Sequence, residues 1–354
     1  LLTGGGSVFL WAFIAILQKY FYLVLLNIDL PENLDIFLRA FTIANLNFIP
    51  SFPTFFAPDL SSESVPAPPK FQENDIDGLF LMNSGSILTG WAIILVGLIF
   101  AKIVLILGKR CFAFLAARAE NYIKSMIWSG IIRYAMGMYF ELAMFSLLQI
   151  INLTFNTLIK GLSSTMSLFI LILQLAFPMW GYVMMKKFTK LPSKRKEEIR
   201  SLFESLKEQH QTCRMYNILL MVRRFLMAGG LVLLHDSPYI QVSYLIMNDL
   251  IHFIYLIVYR PFEGKNEQFS IIIDESVYLA IYFCMWKLLS LNKSPPCTKE
   301  DKLLIGWIII GLCMTGLVVN LIFLLVEGFK SLKSLVQAIK GSKPTDQVSR
   351  NGSA

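Results

Sequence analysis

Among the ionisable side chains inside long apolar runs, eight stand out: Lys102, Glu141, Arg223, Arg224, Asp249, His252, Asp274 and Glu275. A charge placed in hydrocarbon costs on the order of a few kcal/mol or more, so such groups face protein or water and mark function by default. Two kinds of chemistry suit them. One is a hydrated polar pathway or gating network for ions. The other is a set of buried ion pairs that fixes helix register without transport. Glu141, Arg223, Arg224 and Asp249 sit in the middle of their runs, with His252 one turn from Asp249 on the same face. Asp274, Glu275 and Lys102 sit nearer the basic side, and Arg133 lies close to the end of its run. Arg223 or Arg224 is expected to meet Asp249 or Glu141, and Lys102 to meet Asp274 or Glu275. Adjacent residues point about 100° apart on a helix, so the two arginines cannot face one partner. A water-filled cavity reaching Asp249 or Glu141 would favour a pathway. A dry, fully paired cluster would favour register.

These groups need elements to hold them. Hydrophobic residues make up 55% of the 354-residue chain, charged residues only 16%, and mean hydropathy is +0.59. That balance leaves too little charge to cover a water-facing surface, so lipid must cover the rest. Eight runs approach the roughly 20 apolar residues that a bilayer core requires. They are spans one to eight, at 8–26, 87–107, 127–151, 162–185, 215–234, 239–259, 271–289 and 303–326. Backbone groups in lipid must pair within their own segment, and the alternating pattern of a barrel is missing, so the fold class is all-α, a polytopic transmembrane helical bundle. The bundle occupies 1–326, with a basic amphipathic tail at 327–354.

The loops set the orientation. Those after spans two, four and six, with the tail, hold 20 Lys and Arg, and those after spans one, three, five and seven hold 6. The first set is expected to be cytoplasmic. The sequons at Asn152 and Asn292 fall in the other set and are candidate glycosylation sites, whereas Asn351 falls in the tail. Span one then runs outward. If an extracellular region precedes this sequence, which begins with Leu and has no signal-peptide pattern, one more span must lie between them, giving nine.

The long outer segment 27–83 is acidic, aromatic and Pro-rich, with NFIPSFPTFFAPD and VPAPP. It is expected to form an irregular cap, with Phe48, Phe52, Phe55 and Phe56 at the interface or helix tops; an acidic vestibule for cations is the sharper alternative. On the inner side, 193–212 predicts an amphipathic helix with Ile199, Leu202, Phe203 and Leu206 on one face. The tail repeats that stripe at Phe329, Leu332, Leu335, Val336 and Ile339. Both are candidate contacts for anionic lipid, and ordinary positive-inside anchoring explains them equally. Cys111 and Cys213 lie near this side as candidate palmitoylation sites, and Cys297 falls in an outer loop.

The remaining motifs exclude more than they offer. The five cysteines and three histidines are scattered, so no disulfide framework, metal site or cofactor is expected. Gly4-Gly5-Gly6 has no P-loop Lys-Ser/Thr after it. Gly229-Gly230 predicts close packing and Pro178 a kink. No Ser-His-Asp set, paired-carboxylate site or dinucleotide fingerprint argues for an enzyme, and no basic-aromatic groove argues for nucleic acid.

Several segments resemble the C-terminal membrane region of TRP-like proteins, the polycystin and flavin-carrier-like group of fungi and ciliates. They are Arg223-Arg224-Phe225, the outer turn HDSPY at 235–239, the inner corner YRPFEGKNEQ at 259–268 and the IIIDES run at 271–276. LNFIPSFPTFFAPD at 46–59 is similar to the ciliate type. The resemblance implies about nine spans behind a large extracellular region, other membrane subunits as partners, a plasma or ciliary membrane, and cation conduction or calcium-related signalling. One departure stands against conduction. Only about a dozen residues, SLNKSPPCTKEDK, join spans seven and eight, too few for a pore helix and filter. Two functions are therefore carried forward: a TRP-like channel domain, and a non-conducting anchor for a receptor, adhesion or mating-type ectodomain.

Overall fold

A computed structural model describes residues 16–41, 63–293 and 298–341. Among them the regular structure is helical, apart from one isolated bridge between Leu206 and Phe262. We number the main helices α1 (Ile16–Leu25), α2 (Glu32–Arg39), α3 (Gly85–Cys111), α4 (Phe114–Gly137), α5 (Tyr139–Ile151), α6 (Leu158–Lys187), α7 (Tyr216–Leu233), α8 (Pro238–Tyr259), α9 (Lys265–Lys293) and α10 (Lys299–Gly341). Six of them, α3 and α6 to α10, are long and apolar enough to cross a membrane. The α4–α5 pair, bent by 55°, makes a seventh if it counts as one span. Helix α1 is a shorter apolar helix, and the first half of the expected span one lies outside the described residues. The protein is an integral membrane helical bundle.

The bundle closes around α1. Residues 20–26 are all buried. Tyr22 packs on Phe140 of α5, with ring centroids 4.4 Å apart, and Tyr20 on Tyr278 of α9, 5.3 Å apart. Large aromatic rings supply that contact area at low entropic cost. Helices α5 to α10 pack in sequence order around this centre. Helix α3 pairs with α4 at the edge, and its Ile93, Leu95, Val96, Ile99 and Phe100 are exposed, as lipid-facing residues must be. Gly230 lets α7 and α8 approach, because a Cβ there would fall 2.7 Å from the Tyr244 ring. At Gly229 a Cβ would meet only Leu233 of its own helix, at 4.0 Å, so it plays no such part.

Helix α6 runs unbroken through Pro178. Proline has no N–H, so the carbonyl of Gln174 one turn earlier loses its helical donor. Tyr139 repairs this: its hydroxyl donates to Gln174 O at 2.6 Å, in a buried setting. Tyr139→Phe should cost about 1–3 kcal/mol, because it orphans a buried carbonyl. Pro178→Ala restores the helical donor, so thermal melts of the double variant should recover most of that loss. Equal melting temperatures for Tyr139→Phe in both backgrounds would refute the account.

The loops segregate to two ends, as the parity of the spans requires. At one end Asn27 Nδ2 donates to His235 O, Asn152 Nδ2 to Pro66 O, and Tyr239 Oη to Leu289 O. At the other, Arg133 pairs with Glu204 at 2.7 Å, and Lys207 N bonds Pro261 O at 2.9 Å.

Two expectations for these ends are corrected. The outer segment is not wholly irregular: Pro31 opens α2, an amphipathic helix that buries Leu34 and Leu38 and rests on the start of α10. Pro at a helix start blocks nothing, because the first N–H groups lack intrahelical partners anyway. Phe48, Phe52, Phe55 and Phe56 lie outside the described residues. The described acidic groups are largely engaged, with Asp35 on Arg39, Glu73 on Lys70 and Glu63 on Lys160, which fits a cap better than a vestibule.

The inner segment is not one helix over 193–212. It is a short helix, Ser193–Glu198, a 3-10 turn, Arg200–Leu202, and a last turn, Gln211–Arg214. Ile199, Leu202, Phe203 and Leu206 are nevertheless buried together against the bundle. Backbone pairing with the inner corner replaces helical bonds there: Glu263 N donates to Ser205 O, and Ser205 takes a left-handed φ of 61°. At the end of the chain, α10 continues past span eight to Gly341, so bundle and tail share one helix.

Candidate functional site

Arg223 lies at the centre of the buried charge layer. Its five N–H groups all find acceptors. Nε and Nη2 donate to Asp249 Oδ1 at 3.0 and 2.8 Å. Nη1 and Nη2 donate to Glu275 Oε1 and Oε2 at 2.7 and 2.5 Å. The second Nη1 hydrogen goes to His252 Nδ1 at 2.8 Å. A guanidinium only donates, so His252 Nδ1 accepts and the ring is neutral with its proton on Nε2. That Nε2 is buried and has no hydrogen-bond partner among the described residues. Arg223, Asp249, His252 and Glu275 are each no more than 5% exposed. The fork geometry suits arginine alone: one planar cation ties α7 to α8 and α9.

Helix α1 adds the group that the sequence reading passed over. Lys19 Nζ reaches Glu275 Oε1 at 3.2 Å and stands 4.3 Å above the Tyr278 ring. A lysine inside span one was the available signal. Asn248 adds a further tie, donating to Arg223 O at 3.3 Å.

Arg224 points elsewhere, as the 100° step requires. It meets neither Asp249 nor Glu141 as an ion pair. Its Nη1 donates to Met136 O at 2.6 Å, at the break between α4 and α5. Met138, at φ −89° and ψ 5°, ends one helix and starts the next. The break frees carbonyls that a continuous helix would use, and a cation at a helix C-terminus satisfies both their hydrogen-bond need and the helix dipole. Glu141 sits in the first turn of α5, where the dipole favours negative charge. Its Oε1 accepts from Tyr22 Oη at 2.7 Å and from Gln18 Nε2 at 3.2 Å, both on α1.

Asp274 forms a separate cluster. Asn320 of α10 donates to it at 2.5 Å, and Ser270 Oγ donates to Asn320 Oδ1 at 3.1 Å. Lys102 joins neither Asp274 nor Glu275. It is exposed on α3, which packs with α4 at the edge rather than with α9. Hydropathy fixed its depth but carried nothing about which helix would be its neighbour.

The peripheral sites vary. Cys213 is 3% exposed, with Sγ 3.6 Å from Tyr259 O, so it does not present a thiol for palmitoylation. The Cys111 side chain lies outside the described residues. Asn152 and Asn292 stand at the end that carries the cap, and their Nδ2 atoms are engaged by Pro66 O and Asp29 O. His235 packs edge-on to Phe71 of the cap, with centroids 6.0 Å apart, and burial holds its imidazole below the usual range. Lys186, Lys187 and Lys190 are exposed at the basic end, where anionic headgroups could reach them. A cavity of about 900 Å³ opens there between the inner loop and the inner corner. Its Lys207 and Arg260 are matched by Glu208 and Glu263, which leaves no net charge to select an anion. Among the described residues no group of three or more His, Cys, Asp or Glu side chains could hold a metal ion. Comparison of the chain with family models, with curated proteins and with solved structures finds no match.

Proposed function

We propose that the chain is the membrane domain of a cell-surface protein of the TRP-like kind, acting as a non-conducting anchor and assembly domain. The observation that carries this reading is Arg223, fully paired and almost fully buried. Such a cluster fixes the rotation and depth of α1, α7, α8 and α9 against one another. An ion path would need those groups to face water instead. The helix ends add support: α9 stops at Lys293 and α10 starts at Lys299, a link too short for a pore helix and filter. The loop charges support a cytoplasmic tail and inner corner and an outward cap, and the TRP-like resemblance supports a plasma or ciliary membrane. An extracellular region ahead of α1 and partner membrane subunits complete the proposal.

Reconstitution into planar bilayers tests it. The expected result is no current above the lipid background across voltage and calcium concentration. A cation current abolished by Asp249→Asn would overturn the anchor reading. The channel reading retains one specific support, the broken α4–α5 span. Discontinuous helices with charged ends near mid-membrane are a recurrent way of building ion sites.

A further inference from the structure

With Lys102 and Lys287 exposed and Arg133 paired with Glu204, the charges that the bundle itself encloses do not balance. Lys19, Arg223 and Arg224 give three positive charges, whereas Glu141, Asp249, Asp274 and Glu275 give four negative ones. His252 contributes none, since its Nδ1 accepts from Arg223. Net charge in a low-dielectric layer is costly, and a carboxyl answers that cost by taking up a proton. Asp249 and Glu275 share Arg223, so they are not the ones discharged. Glu141 and Asp274 remain, and among the described residues no ion pair reaches either.

Glu141 has the better geometry for a neutral acid. It is 4% exposed. Among the described residues both donors to it, Tyr22 Oη and Gln18 Nε2, fall on Oε1, which suits a carbonyl oxygen and leaves Oε2 to carry hydrogen. The titratable and charged groups facing it are Tyr22 from α1, Tyr134 from α4 and Arg224 from α7. Arg224 is committed to Met136 O. A metal cation would need a shell of oxygens, but the two partners present N–H and O–H hydrogens, so the ligand that fits is a proton.

We propose that Glu141 binds an exchangeable proton, and that losing it draws Arg224 from Met136 O to the Glu141 carboxylate. The break between α4 and α5 then has two arrangements. With the proton bound, Arg224 caps α4 and Glu141 is held by α1. With the proton gone, Arg224 spans the break as an ion pair and the Met136 carbonyl is released, which changes the bend at Met138. The proposal holds whether or not the domain conducts.

Infrared difference spectra of the full chain in lipid vesicles, taken between neutral and alkaline pH, test this. A C=O band of a protonated carboxyl is expected at neutral pH, shifted in D₂O and lost as pH rises. Glu141→Gln should remove the band, and Asp274→Asn should leave it. Tyr22→Phe should move its frequency, because the hydroxyl that bonds the C=O is gone. Glu141→Gln replaces a neutral acid by a neutral amide of the same shape, so it should fold. If it does not, Tyr22→Phe and Asp274→Asn still decide. Absence of the band in the folded chain would overturn the proposal. So would a band removed by Asp274→Asn and unmoved by Tyr22→Phe.

Discussion

Arg223→Met is expected to abolish the folded state or to lower its stability by about 3–5 kcal/mol, the usual cost of removing one partner from a buried charge pair. The cost comes from what remains. Asp249 would lose its only ion-pair partner among the described residues, and Glu275 would keep only Lys19. Arg223→Lys should rescue little, because an ammonium has three donors on a point charge and cannot span Asp249, Glu275 and His252. The charge-balanced double variant, Arg223→Met with Asp249→Leu, should regain most of the loss, since it leaves Glu275 with Lys19 and no orphaned carboxylate. Fluorescence-detected size exclusion and thermal melts in detergent read all three. If Arg223→Met keeps a monodisperse peak and melts within a few degrees of the parent, the cluster does not hold the bundle together.

Gln241→Leu should be nearly as damaging, although no charge is lost. Gln241 is fully buried at the outer end of α8. Its Oε1 accepts from Asn27 N at 3.1 Å, and its Nε2 donates to Leu231 O at 3.0 Å. One amide thus joins the end of α1, the end of α7 and the start of α8. Leucine keeps the volume but strands a backbone donor and a backbone acceptor, at about 1–3 kcal/mol each. A melting temperature lowered in step with that sum is expected. Should Gln241→Leu melt with the parent, water must already satisfy these groups.

Most of the membrane architecture was legible from local composition. Hydrocarbon demands long uncharged runs, and the demand falls on each segment separately. The inner segment at 193–212 shows where that legibility stops. Its apolar stripe grouped Ile199, Leu202, Phe203 and Leu206 on one face, and the fold buries all four against the bundle. It did not reveal that the inner corner at Pro261–Glu263 would take over their backbone hydrogen bonds and break the helix. A partner distant in sequence leaves no trace in a local period. Gln241 was invisible for a related reason: a glutamine in an apolar run looks like a tolerated polar residue until the backbone groups beside it are known.

The charged layer divides the same way. The sequence by itself determined that Glu141, Arg223, Arg224, Asp249, Asp274 and Glu275 lie within the membrane, and that the two arginines diverge. Only the tertiary structure decided that Arg223 takes both Asp249 and Glu275, that Lys19 rather than Lys102 joins them, and that Arg224 caps a broken helix. Depth follows from position along a run, which the chain spells out. Partnership follows from which helix stands beside which and how each is rotated, and those are set by the packing of the whole bundle.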